Sequence, residues 1–376
     1  MIARMLTAVR VRLSFLASLK SAPKSVRLRS RRHSARATIW TALAAFLIFT
    51  AGLSGALESA RPEWRDPEFA VRLNHLRKWK AEAPRRPLVV AFGSSRTQMG
   101  LDPAAMNFPD RPGSPVVYNF GYRAAHPLGV YLHLTRTLDS GVKPDAVLVQ
   151  VAAAEAMIAV SAEKQLTTWN PRFSLTDIKR LTPYTDDPAE FHSGWAKARW
   201  NPWRTYRETV LSDLLPEWQT PLQRVGFTWE FTDRYGFAPH PYTAVPEDIR
   251  AMQRPAVRRS HGRTFEAFTV GGNTEEVFRG LVARCRAEGI PVAFYWIPEG
   301  PIYRSWYSPR SREAVEAYGK RLGTELGVTV FPAPLHLEEP DFADSFHLLR
   351  HGAAKYSYWL AVHNLTPWLK ANGVGE

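Results

Sequence analysis

Short apolar runs alternate with amphipathic stretches along two parts of the chain. The apolar runs are 87–92, which is bounded by Pro and Gly, and 114–121, 144–153, 290–298 and 328–334. They are too short for helices and apolar on successive residues, which predicts strands buried on both faces of a parallel sheet. The stretches with helical spacing are 126–141, 273–289, 308–327 and about 350–371. This alternation predicts an α/β fold with a doubly wound, flavodoxin-like parallel sheet.

The segment 156–270 interrupts the alternation. It is too long for a loop, so it predicts an inserted subdomain between two parts of one α/β domain, 87–155 and 271–376. Six of the 13 tryptophans fall in it: Trp169, Trp195, Trp200, Trp203, Trp218 and Trp229. These aromatic side chains either fill the core of the subdomain or form a surface for a glycan or a partner.

The chain begins with a basic tail followed by an apolar segment. Residues 1–36 hold ten Lys and Arg and no acid, and the 21 residues 37–57 carry no charge. That length spans the roughly 30 Å hydrocarbon core of a bilayer as one helix. The basic flank predicts a cytoplasmic tail, a single-pass helix in the cytoplasmic membrane and an extracytoplasmic remainder. Residues 58–86 then read as a stalk and helix, and the alternative for the apolar segment is a cleaved signal peptide.

The overall charge does not indicate a nucleic-acid-binding domain. The net charge is +14, but outside the tail the chain has 39 basic and 35 acidic residues. The excess therefore belongs to the tail, where the membrane span already explains it. The single cysteine, Cys285, forms no internal disulfide and has no Cys or His partner at metal-ligand spacing.

Two distant polar motifs follow predicted strands. Ser94 and Ser95 come directly after the first strand, where Gly-Ser-Ser can be a helix cap, an anion-binding loop or the site of a nucleophile. Asp344 and His347 stand between the last strand and the last helix. A serine nucleophile needs a base, and that base needs an acid to orient it, so the pair predicts a Ser95, His347, Asp344 triad. The metal alternative, with His351 added, lacks a further strong ligand nearby.

With these motifs the sequence resembles the SGNH (GDSL-like) hydrolase superfamily over roughly residues 87–155 and 274–371. "FGSSR" is similar to its first block, with Ser94 in place of the usual Asp and Ser95 at the nucleophile. "YNFGYRAAHPLG" is similar to the second block, which implies that the backbone N–H of Gly121 joins that of Ser95 in the oxyanion hole. "DSFHLLRHGAAKYS" is similar to the last block and implies Asp344 and His347 as triad members.

One block departs from the family pattern. Aligned with the strand that ends in G-x-N-D, the chain has Ala152, Ala154 and Glu155, so Ala154 stands where the family's Asn donates to the oxyanion. Losing such a donor costs about 10² to 10³ in rate. Arg96 or a residue of the insertion is a candidate replacement, and the alternative for Arg96 is a solvated or salt-bridged helix residue.

The stretch 296–309 follows a strand and is predicted to lie at the same sheet edge as Ser95. Glu299, Arg304, Trp306 and Tyr307 either line a sugar-binding pocket there or pack as a loop. The resemblance is closest to membrane-anchored or exported members, among them proteins of alginate O-acetylation and teichoic-acid D-alanylation.

The expected function is that of an extracytoplasmic serine esterase or O-acyltransferase. The resemblance implies an envelope glycan or another acyl ester as substrate and a membrane-bound protein as a candidate acyl donor. No cofactor or metal is expected. The alternative is a catalytically impaired SGNH-like protein that binds glycan or organises an acyl-transfer complex, which the alanine at position 154 favours.

Overall fold

The computed structural model describes residues 24–157, 170–185, 187–224, 231–333 and 335–375. Its chain divides after Gly55 into an N-terminal unit and a second compact unit, Ala56–Glu376. Most of the predicted basic tail, residues 1–23, lies outside the described residues, as do Trp169 and Trp229 of the insertion.

The N-terminal unit contains one long helix, α1 (Lys24–Gly55). Continued by a π-helical turn, Ala56–Ala60, it includes a stretch of 27 residues, Ser34–Ala60, that is long and apolar enough to cross a membrane. By length and composition this agrees with the predicted single span.

The second unit is an α/β structure in which helices predominate. Its helices are α2 (Pro62–Arg65), α3 (Pro67–Glu82), α4 (Ser95–Gly100), α5 (Pro127–Asp139), α6 (Ala153–Met157), α7 (Leu175–Leu181), α8 (Pro188–Trp200), α9 (Pro202–Leu214), α10 (Glu247–Glu266), α11 (Thr274–Ala287), α12 (Pro301–Ser305), α13 (Pro309–Leu326), α14 (Arg350–Leu360) and α15 (Thr366–Ala371). The described part of this unit also has short 3₁₀ turns and two π-helical turns, Ala56–Ala60 and Ala361–Leu365.

Five parallel strands form the sheet. They are β1 (Leu88–Gly93), β2 (Val116–Gly121), β3 (Ala146–Val151), β4 (Val292–Trp296) and β5 (Thr329–Phe331). Their order is β2-β1-β3-β4-β5, and the predicted α/β class with a parallel sheet is thereby confirmed. Because all strands are parallel, their carboxyl ends share one edge, where Gly93 pairs with Gly121 and Val151 with Trp296.

Apolar side chains cover both faces of the sheet, as the continuous apolar runs predict. On one face Val90 and Phe92 pack with α5, α11 and α13. On the other face Val89 and Ala91 pack with α14 and α15. The sheet is thus buried between two helical layers, and only its edges are open to carry polar chemistry.

The helix of the predicted stalk, α3, packs against the domain. Its Leu73 and Leu76 join the core beside β2, and Arg72 is 1% exposed. The Arg72 guanidinium donates to the carbonyls of Asn119 and Gly236 and pairs with Glu68 at 3.2 Å. A buried arginine held by two carbonyls and a carboxylate fixes the helix on the sheet.

The insertion contributes one helix to the edge of the sheet that carries the serines. Residues 56–376 form one compact unit. The boundaries of the inserted subdomain, 156 and 270, stay a prediction. Of its described tryptophans, Trp195 packs partly against the core, whereas Trp200 is 86% and Trp218 is 72% exposed. The long α10 brings Val257, Ser260 and His261 to the cavity beside Ser95.

Candidate active site

The two adjacent serines have different surroundings. Ser94 is the N-cap of α4: its Oγ accepts from the N–H of Arg96 at 3.2 Å. Ser95, the first residue of the helix, directs its Oγ to His347 Nε2 at 3.0 Å. The strand-to-helix turn therefore uses one serine as its cap and presents the other at the sheet edge.

Gln150, near the end of β3, holds this turn in place. Its Oε1 accepts from the N–H groups of Ser94 (3.0 Å) and Thr97 (3.1 Å), and its Nε2 donates to Glu155 at 3.0 Å. A side chain on Gly93 would collide with Thr97 and Gln150, so only glycine fits there. The nucleophile turn is thus fixed by a neighbouring strand and not by α4 alone.

Asp344 completes the predicted constellation. Its Oδ2 lies 2.8 Å from His347 Nδ1, and its Oδ1 accepts from the backbone N–H groups of Phe346 (3.0 Å) and His347 (2.7 Å). Burial favours a higher pKa for Asp344, but the charge and hydrogen bonds of His347 outweigh burial and lower its pKa to about 2. The carboxylate is therefore ionised at neutral pH and holds Nε2 toward Ser95.

The loop that joins Asp344 to His347 has an unusual backbone. Ser345 has φ of 66°, in the left-handed region that costs a non-glycine residue roughly 1–2 kcal/mol. Its Oγ donates to Glu339 at 2.7 Å, and its carbonyl accepts from Gly300 N–H at 2.9 Å. These two bonds hold the conformation that turns His347 back toward Asp344.

A cavity of about 270 Å³ adjoins the triad. Ser95, Asp344 and His347 line it together with Ala124, His126, Ala154, Glu155 and three residues of α10. Burial raises the pKa of Glu155 and lowers the pKa of His261 to about 4, with the charges of Arg96 and His347 adding to the effect on His261. Groups at the site are therefore partly removed from water, and the added charge of a reaction intermediate is less well solvated there than in bulk water.

Gly121 does not take the position implied for it in the oxyanion hole. It is the last residue of β2, and its N–H donates to Asn119 Oδ1 at 2.8 Å. A Cβ there would meet the backbone of Thr97 and Gln98, so this glycine permits α4 to pack on β2. Two residues of this block do line the cavity, Ala124 and His126. Ala124 is exposed and has φ of 55°. Within the described chain, no hydrogen bond engages the Ala124 N–H.

Ala154 lies at the cavity, as the alignment implies, and offers no side-chain donor. His126, at the N-cap position of α5, lines the same cavity. Neither of its ring nitrogens has a hydrogen-bond partner among the described residues, and burial lowers its pKa to about 4. The ring is thus neutral at pH 7 and carries one unpaired N–H beside the triad.

Arg96 is not placed to replace the missing donor. Its side chain is fully buried, and Nη2 donates to the carbonyls of Ile297 and Pro298 at 2.7 Å each. The guanidinium also lies over the ring of Phe346, 4.5 Å from its centroid. Arg96 is therefore not solvated and does not line the cavity; it is salt-bridged, as the second part of the alternative predicted, with Nη1 3.8 Å from Glu299 Oε1. It joins the loop after β4 to the loop that carries Asp344 and His347.

The predicted pocket residues of 296–309 lie outside the cavity of Ser95. Glu299 contacts Arg96 at 3.8 Å and accepts from Tyr307 Oη at 3.1 Å, which makes a buried cluster behind the triad. Arg304 and Glu299 line a separate groove beside α13. Trp306 packs edge-to-face on Phe265 of α10. The bonds of Arg96 to the 297–298 backbone draw this loop inward, so loop packing describes these side chains better than a shared pocket.

His351 does not join Asp344 and His347. Its Nε2 lies 3.0 Å from the Pro340 carbonyl oxygen and 3.3 Å from Asp341. In the part of the chain that the structure describes, no group of three or more His, Cys, Asp or Glu side chains could hold a metal ion. Cys285 is buried in α11, and burial raises the pKa of its thiol to about 12.

Compared with known proteins, the chain matches no family model and no curated protein. The resemblance to SGNH hydrolases therefore rests on the sequence motifs alone and stays a prediction.

The predicted site lacked several residues that line the cavity, among them the polar side chains of His126, Ser260 and His261. His126 precedes Pro127 at the start of a predicted helix on the carboxyl side of β2, a position that can be read from the sequence. Ser260 and His261 belong to a polar helix of the insertion, and no spacing in the sequence links that helix to Ser95.

Proposed function

We propose that the chain is a membrane-anchored, extracytoplasmic serine esterase or O-acyltransferase of the SGNH type. The observation that carries this proposal is the chain of two short contacts from Ser95 through His347 to Asp344. The strand order β2-β1-β3-β4-β5, which doubly wound flavodoxin-like sheets also have, supports the fold assignment. A site at the carboxyl edge of the strands is where such sheets bind ligands.

In the first half-reaction Ser95 Oγ attacks the carbonyl carbon of an acyl ester while His347 Nε2 takes the hydroxyl proton. The carbonyl oxygen gains the negative charge and accepts hydrogen bonds from Ser95 N–H, Ala124 N–H and the neutral ring of His126. The intermediate then collapses, the bond to the leaving alcohol breaks, and His347 returns the proton to that alcohol. The acyl group remains as an ester on Ser95.

In the second half-reaction water or a glycan hydroxyl attacks this ester, and His347 removes its proton. Collapse of the second intermediate returns the proton to Ser95 Oγ and releases the acid or the acylated glycan. The cavity of about 270 Å³ is at the small end of ligand pockets, which favours a short acyl group. An envelope glycan as acceptor, and a membrane-bound acyl donor protein, rest on the family resemblance and the membrane segment.

Covalent labelling of the full chain with a fluorophosphonate tests the catalytic proposal. We expect labelling of the native chain and of Ser94→Ala, because Ser94 is the cap, and none of Ser95→Ala. His347→Ala is expected to label at a strongly reduced rate. Equal labelling of Ser95→Ala and the native chain, or no labelling of the native chain, contradicts the proposal.

One observation favours a second candidate, a non-catalytic glycan-binding or complex-organising protein. Ala154 removes the side chain that donates to the oxyanion in the family pattern. This candidate predicts that the native chain binds envelope glycan but hydrolyses no ester, and that Ser95→Ala leaves binding unchanged.

The proposed orientation is testable separately from catalysis. The basic tail before the apolar stretch Ser34–Ala60 favours a cytoplasmic N-terminus and an extracytoplasmic C-terminus. Alkaline phosphatase fused to the C-terminus is therefore expected to be active in a bacterial host. An inactive phosphatase fusion, together with an active cytoplasmic reporter fused at the same position, would indicate the opposite orientation.

A further inference from the structure

The insertion is bonded to the residues with which the compact unit begins. The turn Ala56–Ala60 ends the apolar stretch Ser34–Ala60, and its Glu58 is bound by the insertion. Glu58 pairs with Arg199 at 2.9 Å and with Arg65 at 3.7 Å, and it accepts from the N–H of Leu175. Arg199 lies on α8, so this helix is held beside the turn Ala56–Ala60.

Large apolar side chains are exposed next to this attachment. Trp200 directly follows Arg199 and is 86% exposed, and Trp218 is 72% exposed. Leu214 and Leu222 are also exposed, and Leu214 follows Asp213, whose carboxylate accepts from Trp64 Nε1 at 2.8 Å. These exposed apolar side chains lie on or next to α9 (Pro202–Leu214), and we call Trp200, Trp203, Leu214, Trp218 and Leu222 together the tryptophan patch. The neighbours of Trp200 and Leu214 are thus bonded to Glu58 and Trp64. Glu58 is near the end of the apolar stretch, and Trp64 follows that stretch by a few residues.

The chemistry of the tryptophan patch matches a membrane interface. Large exposed apolar patches mark interaction sites, and tryptophan is enriched where hydrocarbon meets headgroups. Lys197 on α8 and Arg204 on α9 have exposed side chains. Basic groups near a bilayer attract anionic lipid. The covalent link to a membrane-spanning segment keeps the surface at high effective concentration near lipid.

We propose that the tryptophan patch rests in the headgroup region of the membrane that anchors the chain, with Lys197 and Arg204 toward lipid phosphates. The inference depends on the proposed membrane anchoring and not on the esterase chemistry. It gives the exposed tryptophans of the insertion a function that neither a buried core nor the Ser95 cavity provides.

Site-specific labels on the full chain in lipid vesicles test this proposal. Cys285 is fully buried, so a cysteine introduced as Trp200→Cys or Trp218→Cys is the reactive thiol, and an unlabelled Cys285 reports that the variant is folded. The matched control is Tyr358→Cys on α14, where the native side chain is 55% exposed and apolar. The vesicles contain phosphatidylcholine and phosphatidylglycerol with a nitroxide on the lipid headgroup.

We expect nitroxide lipid to quench a bimane label at positions 200 and 218 several-fold more than at 358. Replacing both Lys197 and Arg204 by Glu should reduce that quenching in vesicles with phosphatidylglycerol. Labels at 200 and 218 that respond to aqueous iodide but not to nitroxide lipid overturn the proposal. Labels shielded from both quenchers also overturn it and indicate that a protein surface, such as a second copy of the chain, covers the tryptophan patch.

Discussion

Adjacent residues of one type can have opposite roles when a strand turns into a helix. At the N-cap the side chain of Ser94 folds back onto the helix backbone, whereas Ser95 at the first helical position points away from the helix axis toward His347. The same distinction separates Gly121 from Ala124 in the second block. Gly121 serves the packing of α4, whereas Ala124, with its left-handed backbone, lines the cavity.

The loss of a donor at Ala154 leads to a prediction about His126. We expect His126→Ala to lower kcat/KM for a short-chain ester by about 10²- to 10³-fold, the usual effect of losing one oxyanion donor. Restoring the family residue in the double variant His126→Ala, Ala154→Asn should recover much of that loss. The measurement is steady-state ester hydrolysis by the full chain in detergent.

Ala154→Asn alone is the control and should keep or raise the native rate. An unchanged rate in His126→Ala would remove His126 from the oxyanion hole while leaving the triad intact. Failure of the double variant to recover activity would mean that the amide at 154 does not reach the oxyanion.

Helices and strands were easier to predict here than the directions of long side chains. The strands agree with the predicted apolar runs to within a few residues, because burial on both faces requires continuous apolar sequence. The order of motifs along the chain also predicted that Ser95 and His347 share a sheet edge. For Arg96 and the 296–309 loop the sequence left two alternatives open, since a local pattern cannot tell that a guanidinium binds two distant carbonyls.

The close packing of α4 on β2 gives a second prediction. A Cβ on Gly121 meets backbone atoms of Thr97 and Gln98, which cannot move without displacing the nucleophile turn. Gly121→Ala should therefore lower the free energy of unfolding by at least about 1–3 kcal/mol and reduce Ser95 labelling. Gly262→Ala in α10 is the matched control, because nothing lies within 4 Å of its Cβ position. It should be neutral or stabilising by up to about 1 kcal/mol, and equal effects at both sites would contradict this interpretation.

At the scale of the whole molecule, neutral histidines contribute to the dependence of stability on pH. Burial lowers the pKa values of His126 and His261 to about 4 and that of His133 to about 3. Unfolding returns such groups to water, where they bind protons below about pH 6.5. Protonation of these histidines on unfolding therefore lowers stability as the pH falls. Burial raises the pKa values of Glu68, Glu155 and Glu299, and these groups stabilise the folded chain as the pH falls. The contribution of a single histidine is therefore obtained by measuring the free energy of unfolding of the native chain and of a variant at two pH values. The difference between their pH-dependent changes belongs to that histidine.

His133 suits this comparison because it lies in the core, far along the chain from the triad. Its ring is 1% exposed and lies 4.3 Å from the ring of Tyr122 and 5.8 Å from that of Phe69. Between pH 7 and pH 5 the unfolded chain gains a proton at this position and the folded chain does not, so acidification favours unfolding by about 2 kcal/mol from His133 alone.

His133→Phe keeps an aromatic ring in the core and removes the titrating group. Urea unfolding of the full chain in detergent should therefore show that the native chain loses about 2 kcal/mol more than His133→Phe when the pH is lowered from 7 to 5. Equal losses in the two proteins would mean that His133 is as readily protonated in the folded state as in water.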